Sequence, residues 1–138
     1  MNWVVAGLIA GVIVYVVDYV MWGKVFTKGL DVFVTAMTPD EMKRFMGPAL
    51  VKSALLSLAF GVLFAWFFGR FRPSLWVHSG SWLAGMEFAT VLWLPTIFLA
   101  SMGSSVWYVR ARPLQMAMCW AWLVRMNVAG IVVGLLMK

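Results

Sequence analysis

A chain of 138 residues that is 64% hydrophobic and only 12% charged, with a mean hydropathy of +0.92, lies outside the range of soluble domains, which carry about 25% charged residues. The net charge of +6 would suit nucleic acid if the basic residues shared a soluble face. They stand instead at the ends of apolar runs, where Lys and Arg meet lipid headgroups, which argues against a nucleic-acid partner. A single cysteine, Cys119, leaves no intramolecular disulfide and no cysteine metal motif.

The first apolar run covers residues 3–23. It has no basic stretch before it and no small-residue cleavage site, and at about 20 residues it is too long for a signal-peptide core. It is therefore read as a retained transmembrane helix. The loop that follows, residues 24–47, is the only long one. Within it Thr38-Pro39-Asp40-Glu41 makes a capping box with Pro at the first helical position. Met42, Phe45 and Met46 come next, and the pattern predicts a short amphipathic helix on the membrane surface. Gly47-Pro48 is expected to turn the chain into the second span, residues 48–69.

The third span is expected at residues 79–102, kinked by Pro95, and the fourth at residues 113–137. At 1.5 Å per residue each is long enough to cross a hydrocarbon core of about 30 Å. No polar–apolar alternation persists through a span, so strands are not expected, and backbone groups in lipid must pair within their own segment. Trp3, Trp22, Trp66, Trp76, Trp82 and Trp107 fall near span ends, as an aromatic belt requires. The resulting fold class is all-α: one domain, residues 1–138, an integral membrane bundle of four transmembrane helices with a surface helix in the first loop. The first and third loops share a side and hold Lys24, Lys28, Lys43, Arg44, Lys52, Arg110 and Arg112, against Arg70, Arg72 and Lys138 opposite. The positive-inside rule then puts both termini outside the cytoplasm.

Small residues recur four apart in every span: Gly7 and Gly11; Ser53, Ser57, Gly61 and Ala65; Ser81, Gly85 and Ala89; Ala117, Ala121 and Ala129, with Gly130 and Gly134. This spacing lets helix backbones approach closely in lipid. Three ionisable residues fall on the same stripes, Asp18, Glu87 and Arg125. A charge in hydrocarbon costs about 2.5–3.5 kcal/mol on the gentlest scales, so each needs a partner. Arg125 lies near the middle of its span, with Asp18 and Glu87 about 6–8 Å from the midplane by helical rise, on opposite sides of it. Arg125 is therefore expected to bridge Asp18, Glu87 or both, with Asn127 and Thr90 as polar support. The trio reads either as a structural ion-pair lock, the preferred reading, or as a proton or ion relay.

His78, the lone histidine, is the one candidate ligand for a haem or pigment shared with another chain. An interfacial histidine beside Trp76 is the plainer reading. The eleven methionines are too scattered for a soft-metal site. No nucleophile–base arrangement, phosphate loop or metal-ligand spacing stands out, so an enzyme is disfavoured. No cofactor is evident beyond lipid or a shared pigment.

Asn2-Trp3, the apolar run to Tyr19, and the exit Trp22-Gly23-Lys24-Val25-Phe26 resemble the opening of a family of uncharacterised small four-helix bacterial inner-membrane proteins. That family has a Trp near its start and a Trp/Tyr-Gly-x-x-Phe-Gly-Lys exit from the first helix. The stretch from Leu94-Pro95 to Arg112-Pro113, with the helix through Gly130 and Gly134, is similar to the family's second half. The likeness covers about half the chain. Position 27 is Thr where the pattern has Gly, and Arg125 matches no position of it. The resemblance implies a bacterial inner-membrane protein and brings no catalytic residue with it. Two functions are carried forward. One is a non-catalytic accessory subunit packed against a larger membrane complex. The other is a small proton, ion or solute carrier acting as a homo-oligomer, with the charge trio lining its path.

Overall fold

The computed structural model describes residues 1–25, 38–77 and 81–137. Helix α1 spans Trp3–Val20, and Asn2 caps it, its side-chain oxygen accepting from the Val4 amide at 3.0 Å. A π turn, Met21–Val25, continues α1. Helix α2 spans Pro39–Phe71 and begins at the expected capping box. The Thr38 hydroxyl accepts from the Glu41 amide at 3.3 Å, and the Glu41 carboxylate accepts from the Thr38 amide at 2.9 Å.

The expected break at Gly47-Pro48 is absent, and among the described residues the stretch from Pro39 is part of the second spanning helix, not a separate short surface helix. Pro48 lies inside one continuous helix of 33 residues. A helical φ already suits proline, so only one backbone bond is lost there. At 1.5 Å per residue α2 is about 50 Å long, well beyond a core of about 30 Å.

A 3-10 turn, Arg72–Ser74, ends α2. The third apolar segment is broken into α3, Trp82–Trp93, a π turn, Leu94–Phe98, and α4, Leu99–Trp107. Pro95 stands in that π turn, as its missing N–H and ring clash require. Thr96 Oγ1 donates to the Leu92 carbonyl at 2.5 Å. After a second 3-10 turn, Val109–Ala111, helix α5 spans Arg112–Leu136 with Pro113 in its first turn. Among the described residues there are thus four helical segments long and apolar enough to cross a membrane, and no strand.

The bundle is two antiparallel pairs joined together. In the first pair, α1 and α2 touch backbone to backbone. A Cβ on Gly7 would lie 2.5 Å from the Val62 Cα, one on Gly11 would lie 2.7 Å from the Ser57 carbonyl oxygen, and one on Gly61 would collide with the Gly7 carbonyl. In the second pair, Gly85 of α3 and Gly130 of α5 face each other so closely that a Cβ on either would strike the other's carbonyl. The small-residue stripes are therefore the helix contacts. Contacts between α1 and α5 join the pairs, and Phe88 of α3 meets Phe64 and Phe68 of α2 at ring distances of 5.1 and 5.7 Å. Ala6, Ala10, Val14, Ala65, Phe68, Ala84, Ala89, Ala129 and Val133 are fully buried between helices. The start of α1, the end of α2 and the end of α5 meet on one side, where the Arg72 guanidinium donates to the Met137 carbonyl at 2.6 Å.

Valine at Gly61 or Gly85 forces the helices apart. The expected loss of stability is about 1–3 kcal/mol or more, read as a lowered melting temperature in detergent. Among the described residues nothing lies within 4 Å of a Cβ at Gly103, so Gly103→Ala leaves the melting temperature unchanged or slightly raised.

Candidate functional site

Arg125 stands halfway along α5 and its guanidinium reaches three helices. One terminal nitrogen, Nη1, is 3.1 Å from Asp18 Oδ2 on α1. The other, Nη2, donates to Ser57 Oγ on α2 at 3.1 Å. The guanidinium carbon lies 4.9 Å from the Phe60 ring centre on α2 and 4.5 Å from that of Trp122, one turn earlier on α5. The two charged side chains are only 17% and 13% exposed. Arginine suits this place because its planar fork donates in two directions while its face stacks on rings. Its Nε is buried without a hydrogen-bond partner.

The small-residue packing places these groups. Gly11 admits the α2 backbone at Ser57, so the fully buried Ser57 hydroxyl sits beside α1, within reach of Arg125. Asp18 follows Gly11 by seven residues, two turns along the same face. Beside it, a cleft of about 290 Å³ opens between α1 and α2, lined by Tyr15, Asp18, Tyr19, Trp22, Leu50 and Ser53 among others. The Tyr15 hydroxyl donates to the Leu50 carbonyl at 3.4 Å.

Glu87 does not belong to this cluster. Its two oxygens accept from the Trp76 and Val77 amides at 2.7 and 2.9 Å. Those amides belong to backbone that has left the helix after Ser74 and has no intrahelical partner, so a carboxylate nearby satisfies both. Of the alternatives Asp18, Glu87 or both, Arg125 meets Asp18, and Glu87 makes a separate arrangement. Thr90 and Asn127 meet each other, with Thr90 Oγ1 3.4 Å from Asn127 Oδ1, while the Asn127 amide donates to the Leu123 carbonyl at 2.9 Å. They join α3 to α5 and have no hydrogen bond to the ion pair. His78, the candidate haem or pigment ligand, lies outside the described residues.

Ser57, known from the sequence only as a small packing residue, and Phe60 and Trp122 join the site unexpectedly. A signal for each was present. Ser57 lies on the α2 small-residue stripe, Phe60 is three residues further on that helix, and Trp122 precedes Arg125 by three, the spacing of helix neighbours. Among the described residues no three His, Cys, Asp or Glu side chains come together to hold a metal. No protein-family model, curated protein or solved structure matches the chain.

Arg125→Lys keeps the charge but loses the fork and the stacking. The expected destabilisation is about 1–2 kcal/mol, measured by thermal unfolding in detergent. Glu87→Ala is expected to leave the Arg125 contacts in place and to speed hydrogen exchange at the Trp76 and Val77 amides at least about tenfold.

Proposed function

We propose that the protein is a non-catalytic subunit of a membrane assembly, a small four-helix unit of a bacterial inner membrane that packs against larger chains. One observation carries the reading: the intramembrane charges are engaged in holding the fold. Arg125 is held by Asp18, Ser57, Phe60 and Trp122, and Glu87 by two backbone amides. Groups engaged in this way set helix register.

The outward faces support a partner-bound life in lipid. The small-residue stripes are used within the chain, so the partner-facing surface is aliphatic instead, as in the exposed row Val51, Leu55 and Leu56 on α2. In this reading the first turns of α2, with Lys43, Arg44, Phe45 and Met46 exposed, continue the spanning helix out of the hydrocarbon core into the headgroup region. The surplus of Lys and Arg there and before α5 makes that side cytoplasmic, with both termini opposite.

The cleft beside Asp18 favours a second reading, a small carrier acting as a homo-oligomer, since a carboxylate bordering a cleft within a span marks transport paths. Native electrophoresis after mild detergent extraction separates the two. The accessory reading predicts a discrete band containing other gene products, and a pure homo-oligomer overturns it. Solute or proton flux in liposomes that Asp18→Asn abolishes would establish the carrier instead.

A further inference from the structure

We infer that the recess where the two termini and the end of α2 converge binds the phosphodiester headgroup of an anionic phospholipid, with Arg70 as its cationic ligand. The inference rests on the reading that the four helices cross a bilayer. The recess measures about 280 Å³ and is built from three helices: Trp3 of α1, Ala65, Trp66, Gly69 and Arg70 of α2, and Met137 just past α5.

Charge comes first. The Arg70 guanidinium stands 5.8 Å from the Trp66 ring centre, and Arg70 has no carboxylate partner among the described residues. Arg72, two residues on, adds a second positive charge and ties the Met137 carbonyl at 2.6 Å, which holds the recess wall in place. Between residues 42 and 138 the sequence contains one acidic residue, Glu87, and both its oxygens already accept backbone amides. Arg70 and Arg72 therefore place two guanidinium groups at the level of the headgroups, where a phosphate can pair with them.

Shape comes second. A planar guanidinium offers two parallel N–H groups to two phosphate oxygens. Trp3 and Trp66, each 40% exposed, are amphipathic rings suited to the glycerol and the first acyl carbons. At Gly69 the Met137 side chain packs close against the backbone, so that a Cβ there would lie 3.3 Å from it, and a larger side chain would have to push into the recess. A zwitterionic headgroup would bring its own cation against Arg70 and Arg72, so the recess selects a lipid with net negative charge.

The test is native mass spectrometry of the full chain released from nanodiscs of phosphatidylglycerol, of phosphatidylcholine, or of their mixture. The wild type is expected to keep phosphatidylglycerol in preference to phosphatidylcholine. Arg70→Gln is expected to lower that retention roughly fivefold. Gly69→Leu, which fills the recess without touching charge, is expected to lower it as well. Arg110→Gln, an exposed change on the opposite side, leaves it intact, and melting curves confirm that each variant folds. Equal retention of both lipids, or undiminished retention in both recess variants, overturns the inference. Protection from heat by inorganic phosphate alone, equal to that by lipid, overturns the lipid as the source. Release of the protein from membranes by alkaline carbonate would overturn the spanning assignment itself, a failure distinct from loss of lipid preference in an embedded protein.

Discussion

A guanidinium taken into hydrocarbon must find in the protein what water supplied. In this bundle the partners of Arg125 come from three helices. Asp18 from α1 supplies charge, Ser57 from α2 supplies an acceptor, and Phe60 and Trp122 supply ring faces. Each contact is modest alone, and exposed cation–ring contacts are worth about 0.5–1 kcal/mol. Together they tie the register of α1 and α2 to that of α5. Loss of any partner leaves a charge under-satisfied in a poorly solvated place, which costs more than the contact is worth.

That arrangement depends in turn on how closely the backbones approach. Leucine in place of Gly11 or Gly61 would hold α1 and α2 apart, and Ser57 would no longer reach the guanidinium. The Gly85–Gly130 contact does the same for α3 and α5. Dispersion between backbones is the main helix–helix attraction when the surrounding lipid is as apolar as the side chains. The polar clasp and the glycine contacts therefore support one another: the glycines give the distance and the ion pair gives the register.

Much of this was legible in the chain. Apolar run length placed four helices, the capping box marked a helix start at Thr38, though it was read as that of a separate surface helix, and the four-residue spacing of small residues named the contact faces. Two features escaped. Gly47-Pro48 reads as a boundary because proline stops most helices, yet at a helical φ a single proline removes only one bond, and α2 continues through it. Depth and stripe allowed Arg125 to bridge Asp18, Glu87 or both; it meets Asp18, and Glu87 stands apart. What decided this was the pair of amides at Trp76 and Val77, released when the chain leaves its helix after Ser74. The demand of a turn for an acceptor is local to three-dimensional structure and leaves no periodic trace.

A fold whose buried charges serve its own cohesion, and whose outer surface is aliphatic, suits a surround of lipid. The central claim is that Asp18 and Arg125 hold each other. A double-mutant cycle with Asp18→Asn and Arg125→Met, read by unfolding in detergent, tests it directly. The account predicts a coupling of about 1–3 kcal/mol, with the double variant more stable than the two single losses would sum to. Strict additivity of the two losses would contradict it.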